Sequence, residues 1–182
     1  MSTTTLILGG ARSGKSTRAA TVAESLLPSS VEEEGADRPL LLLATAEAFD
    51  AEMRERINRH RADRSTQWQV IEEPVDVVGV LMNETDTHQV CVVDCLTIWL
   101  SNLYHYEHDI EAGVDALIAS VSSLSKPVVF VSNEVGLGIV PEGALGRAFR
   151  DAQGRLNQRL AAACDTVEFV VAGIPMTLKD AR

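Results

Sequence analysis

Short aliphatic runs alternate with longer stretches of helical periodicity along this chain. Thr4–Leu8, Leu40–Ala44, Val90–Asp94, Val128–Ser132 and Val167–Ala172 are each nearly continuous in apolar residues, as expected of strands covered on both faces. Between them, Ser16–Leu27, Phe49–Ala62, Val75–Met82, Leu96–Tyr104, Ile110–Leu124 and Gly143–Cys164 read as helices. This alternation predicts an α/β fold on a mainly parallel sheet. Gln67–Glu72 is a candidate additional strand, and Pro28–Pro39, polar, acidic and bounded by prolines, reads as a solvated loop. No repeat, low-complexity tract or linker appears, so residues 1–182 are read as a single domain.

Composition changes that picture in two places. Hydrophobic residues make up 46% of the chain and charged residues 23%, which excludes a disordered polymer. The net charge of −10 argues against a broad nucleic-acid surface. Most of the 16 lysines and arginines nevertheless fall in three groups: Arg12, Lys15 and Arg18; Arg54, Arg56, Arg59, Arg61 and Arg64; and Arg147, Arg150, Arg155 and Arg159. Cations concentrated in an acidic protein suit a local anion such as a nucleotide. Residues 1–10 lack a basic, apolar leader and no run approaches the length of a membrane span, so the expected location is the cytoplasm. Cys91, Cys95 and Cys164, an odd count without a CxxC pair, read as small buried thiols.

The chemistry is concentrated at the first strand–helix junction. Gly9-Gly10-Ala11-Arg12-Ser13-Gly14-Lys15-Ser16 fits G-x-x-x-x-G-K-[ST], directly after Leu6-Ile7-Leu8 and before a helix. Glycines let successive backbone N–H groups converge on phosphate oxygens at a helix N-terminus. Lys15 is placed to reach the β/γ-phosphates, and Ser16 to offer a hydroxyl to Mg2+. Val90-Cys91-Val92-Val93-Asp94 ends a second apolar run in a carboxylate, so Asp94 is the candidate metal acid at the end of a neighbouring strand.

Met53, Ile57 and His60 share one helical face, with Arg59 and Arg61 beside the histidine. Such a histidine is either a packed or capping residue, or a neutral imidazole kept from protonating by the arginines and able to act as nucleophile or phosphate contact. His88, His105 and His108 lie among polar residues and are expected to be exposed. Asn133-Glu134-Val135-Gly136-Leu137-Gly138-Ile139-Val140-Pro141 follows a buried strand, where open α/β sheets place ligands. The arginines of Phe149–Leu160 face solvent, a structural partner, another subunit or an anionic substrate.

GGARSGKS at 9–16, EMRERINRHRADR at 52–64, VVDCLTIWLSNL at 92–103, SNEVGLGIVP at 132–141 and FRDAQGRLNQRLAAACD at 149–165 together resemble the bifunctional adenosylcobinamide kinase/adenosylcobinamide-phosphate guanylyltransferase family of cobalamin biosynthesis. The resemblance implies a RecA-like P-loop NTPase fold, a homotrimer and two reactions. In the first, ATP or GTP phosphorylates the aminopropanol hydroxyl of adenosylcobinamide. In the second, a histidine attacks the α-phosphorus of GTP, and the bound GMP passes to adenosylcobinamide phosphate, giving adenosylcobinamide-GDP. The family's nucleophile falls on His60. By the same resemblance Thr45, Ala46, Glu47, Arg61, Glu72 and Asp94 line the guanine-nucleotide pocket, alongside Gly9 to Ser16 of the loop, with Mg2+ held through Ser16 and Asp94. A single-activity kinase for another small alcohol and a nucleotide-switched regulatory subunit are the competing readings.

Overall fold

The structure, a computed structural model, describes residues 3–27, 38–47, 66–84 and 87–181. Its elements are β1 (Thr4–Gly9), α1 (Lys15–Ser25), β2 (Leu40–Ala44), β3 (Trp68–Glu72), α2 (Val77–Glu84), β4 (Val90–Asp94), α3 (Leu96–His105), α4 (Ile110–Val121), β5 (Val128–Asn133), α5 (Ala144–Ala163), β6 (Thr166–Val171) and β7 (Ile174–Asp180). One 7-stranded sheet runs in the order β3-β2-β4-β5-β1-β6-β7. All neighbours are parallel except β6 and β7, which form an antiparallel hairpin. Helix Phe49–Ala62 of the sequence reading lies outside the described residues.

Strand periodicity divides the core. Leu6, Leu8, Leu41, Leu43, Cys91, Val93, Val128 and Phe130 face one side, packing with Leu81, Trp99, Leu117 and Leu156 of helices α2 to α5. Alternate residues, among them Ile7, Leu40, Leu42, Val90, Val92, Val129 and Val131, face the other and pack with Ala19 and Ala23 of α1. Apolar side chains on both strand faces explain why β1, β2, β4 and β5 read as unbroken aliphatic runs.

Two helices, α2 and α4, begin where acidic side chains satisfy free N–H groups. Asp109 Oδ1 accepts from Ala112 N at 3.0 Å before α4. Glu73 Oε1 accepts from Val75 N and Asp76 N, both at 2.8 Å, and Asp76 Oδ1 accepts from Gly79 N at 2.9 Å. These bonds shift α2 two residues beyond the expected Val75 start.

β7 was not anticipated. Ala172 and Gly173, at φ 52° and 81°, make a two-residue turn of the kind hairpins favour. Pro175 is tolerated because β7 ends the sheet.

The histidine expectation holds only in part. His105 and His108 are exposed, but His88 is buried at 4% exposure. Its Nδ1 lies 2.9 Å from Thr87 Oγ1 and 3.1 Å from Glu84 O, and its Nε2 lies 3.3 Å from Gln69 Oε1. Its polar neighbours enclose the ring and supply its partners, which their polarity alone did not reveal.

Candidate active site

Parallel strands bring their C-terminal ends to one edge of the sheet, and Gly9–Ser16, Thr45–Glu47, Glu72, Asp94 and Asn133–Pro141 all follow or end strands there, whereas the arginines of Phe149–Leu160 lie along α5. At that edge Gly9 pairs in register with Asn133, while Ala44 pairs with Asp94 on one side and Glu72 on the other. β4 is not adjacent to β1, as the neighbouring-strand expectation had it: β5 lies between them. Two strand spacings therefore set Gly9 and Asp94 about 10 Å apart across the sheet, and Asp94, opposite Val131, lies two residues short of the level of Gly9 and Asn133 along the strands.

The loop from Gly9 to Ser16 is shaped by close approach. A Cβ on Gly9 would lie 2.4 Å from Val170 O and 2.7 Å from Ser13 Oγ, so the position admits only hydrogen. Gly14 precedes α1 in a left-handed conformation (φ 101°) and offers no side-chain cap, and the first turn carries no acidic residue. The N–H groups of α1 thus keep their positive end directed at the loop. Lys15 is buried, and its ammonium donates to Gly10 O at 2.5 Å and lies 3.5 Å from Ser13 Oγ. From outside, the hairpin turn braces the loop: Gly173 N donates to Ser13 O at 2.8 Å. Arg12 is exposed at the loop crest.

Arg18 has a different role from its neighbours. Its Nε and Nη2 reach the two carboxylate oxygens of Glu168 at 2.7 Å each, a bidentate pair that fastens α1 to β6. This bond raises the Arg18 pKa still further. Of the first cationic group, Arg12 and Lys15 remain at the loop.

Across the edge, Thr45 is fully buried. Its Oγ1 donates to Cys95 O at 2.8 Å and accepts from Cys95 N at 3.0 Å, while Thr45 N donates to Asp94 O at 3.2 Å. Asn102 Nδ2 donates to Thr45 O at 2.8 Å and Pro74 O at 3.0 Å. The two side chains tie the ends of β2, β3 and β4 together. Ala46 is half-buried, Glu47 Oε2 accepts from Tyr106 Oη at 2.8 Å, and Glu72 is exposed at the end of β3. The bond to Glu47 holds the Tyr106 phenol above its ordinary value. Burial, then the Asp94 charge, push the Cys95 thiol up to about 11, keeping it protonated at neutral pH. The other two cysteines are also free and buried, with pKa values raised to about 12.

A third tie joins the middle of the edge. Asn157 Oδ1 accepts from Ser132 Oγ at 2.7 Å and Gln153 Nε2 at 3.0 Å, while Asn157 Nδ2 donates to Asn133 O at 3.0 Å. Asn133 N donates to Thr97 Oγ1 and Glu134 N donates to Gly9 O. Thr97, Asn102, Ser132, Gln153 and Asn157 escaped the sequence reading. Their signal was a polar residue at a core-facing position, in an apolar helix or strand for Thr97, Asn102 and Ser132 and beside the Ala152, Leu156 and Leu160 stripe of the otherwise polar α5 for Gln153 and Asn157. The third cationic group is largely engaged in local contacts: Arg147 donates to Pro141 O and Glu142 O, and Arg150, Arg155 and Arg159 pair with Asp151, Glu111 and Asp115. His60, Arg61 and the other arginines of the second group lie outside the described residues.

The model for the cobinamide kinase/cobinamide phosphate guanyltransferase family matches residues 5–178. The chain belongs to that family. It is 42% identical to the bifunctional adenosylcobalamin biosynthesis protein CobP of Pseudomonas aeruginosa over 177 residues, covering 96% of each chain. Over 189 residues it is 36% identical to the bifunctional adenosylcobalamin biosynthesis protein CobU of Escherichia coli, covering 96% of this chain and 98% of that one. Among solved structures, a KaiC-like protein of Pyrococcus horikoshii matches with a TM-score of 0.51 at 15% identity, over 92% of this chain and 71% of that one. The family's fold here is a RecA-like P-loop NTPase sheet.

Proposed function

We propose that this chain performs both reactions named for its family on one domain. ATP or GTP first phosphorylates the aminopropanol hydroxyl of adenosylcobinamide. GMP then passes from GTP through His60 to adenosylcobinamide phosphate, giving adenosylcobinamide-GDP. The observation that carries this reading is the complete phosphate loop at the start of an uncapped helix, in a chain matched by the family model over residues 5–178.

Lys15 and the loop amides bind the phosphates and oppose the charge that develops as pyrophosphate or the γ-phosphoryl group departs. Ser16 and Asp94 offer one hydroxyl and one carboxylate, hard oxygen donors at the same sheet edge. Magnesium commonly takes only one or two protein oxygens beside substrate phosphates, so this donor set fits Mg2+. When bound, that ion supplies charge neutralisation at the phosphates. Thr45 acts through its grip on Asp94 and Cys95, while Ala46, Glu47, Glu72 and Arg61 complete the guanine-nucleotide side. His60, as a neutral imidazole, divides guanylyl transfer into two displacements. A homotrimer is the proposed assembly.

Incubation with α-labelled GTP and Mg2+ tests this. The expected result is acid-labile, alkali-stable label on the parent, none on His60→Ala, and phosphorylation of adenosylcobinamide by both. Equal labelling of His60→Ala removes His60 from the mechanism.

A further inference from the structure

Phosphoryl transfer to an alcohol requires a group to accept the hydroxyl proton, within hydrogen-bond reach of the attacking oxygen. Resting on the function proposed above, we propose that Glu134 is that base in the kinase reaction. Among the described residues, the other carboxylates near this edge are engaged or remote. Glu73 accepts two backbone N–H groups at the entry to α2, Glu47 accepts from Tyr106, and Glu72 ends a strand four places from β1. Asp94 is the proposed metal acid. Glu134 follows the strand between Asp94 and the phosphate loop, and its own N–H donates to Gly9 O at 3.0 Å.

The surroundings hold this residue from both sides. Asn133, just before it, is gripped at its N–H by Thr97 Oγ1 and at its carbonyl by Asn157 Nδ2. After it, Gly136 N donates to Glu134 Oε1 at 2.5 Å, leaving Oε2 to receive a proton. A Cβ on Gly136 would lie 2.8 Å from that same Oε1, so the glycine permits this seat for the carboxylate. The reaction then balances simply. The acceptor oxygen bonds to the γ-phosphorus, the bond to the β-phosphate bridging oxygen breaks, and the nucleoside diphosphate leaves. The hydroxyl proton moves to Glu134 Oε2 and from there to solvent. Guanylyl transfer to His60 has no such alcohol, so it makes no demand on Glu134.

That asymmetry gives the test. Glu134→Gln keeps an oxygen for Gly136 N but is not a base. It is expected to lower kcat for adenosylcobinamide phosphorylation by about 10²–10³-fold. KM for the nucleotide and labelling of the protein by α-labelled GTP should stay within about threefold of the parent, by the same separation of roles. Gly136→Ala, which displaces only the end of a flexible side chain, should lower the kinase reaction by about tenfold through misplacement. A Glu134→Gln enzyme with parental kinase turnover overturns the proposal, as does an equal fall in both reactions, which would mark a structural role. A parent protein that cannot phosphorylate adenosylcobinamide overturns the functional reading itself, and this assignment with it.

Discussion

The phosphate loop and the Thr45 side of the site lie on one sheet edge but are built in opposite ways. The loop is contiguous: the eight residues Gly9 to Ser16 span the junction of β1 and α1, shaped by glycines and fastened by Arg18 to Glu168 and by Gly173 N to Ser13 O. The Thr45 side draws on residues 45, 74, 94, 95 and 102, joined by the hydroxyl of Thr45 and the amide of Asn102. The first half is local sequence with two external braces. The second exists only after the strands have paired, and neutral hydrogen bonds hold it. A lesion in the loop should therefore remove chemistry from an otherwise intact fold, while a lesion in the other half should affect the fold and the chemistry together.

The largest effect is expected at Lys15. Lys15→Ala should lower both phosphoryl and guanylyl transfer by about 10³-fold, about 4 kcal/mol of barrier, with unchanged thermal unfolding. Steady-state rates and calorimetry on the same sample check this, and an equally large loss of stability would erase the distinction between the halves. Arg18→Ala, which removes an external brace and leaves the loop's own residues in place, comes next and acts on stability. It strands Glu168, which is 6% exposed, and should cost about 3 kcal/mol by urea titration, since Arg18 itself is only partly buried.

Asn102→Ala attacks the other half by leaving two backbone carbonyls without their donor. About 2 kcal/mol of stability should be lost, and guanylyl transfer should fall more than the kinase reaction; parallel assays of the two reactions decide. The smallest effect is expected at the opposite edge of the sheet, where β1 and β6 begin, away from both halves. Asp165 Oδ2 accepts from Thr4 N and Thr4 Oγ1 at 2.8 Å each, and these bonds hold its carboxyl below the ordinary 3.8. A depressed folded-state value stabilises above the unfolded value and is lost as pH falls through the folded one. Asp165→Asn should thus be less stable than the parent at pH 7 by less than about 1 kcal/mol, with the gap closing below pH 3.8 in acid unfolding curves.

The same contrast governs how much could be read without coordinates. Strands β1, β2, β4, β5 and β6 fall within one residue of their apolar runs because burial on both faces leaves no alternation to misread. The loop was legible because its chemistry needs those residue types at that spacing. β7 was not: Ile174, Met176 and Leu178 do alternate with Pro175, Thr177 and Lys179, but the proline argues against a strand in any position except an edge, and nothing in the sequence places this segment at the edge. Asn102 resembles a defect in an apolar helix, and Asn157 one more surface residue of a polar helix, until the carbonyls they serve arrive from elsewhere. His88 seemed exposed for the converse reason, since polar neighbours supply partners as readily as they attract water.

The hairpin that closes the sheet has a genetic consequence. Gly173 is the outer brace of Ser13, and β7 holds that turn in place by its pairing with β6. A stop codon just after Val171 would spare every residue from Gly9 to Ser16 and still silence both transfers. What looks on a gene map like a dispensable tail is a support for the loop encoded at the other end.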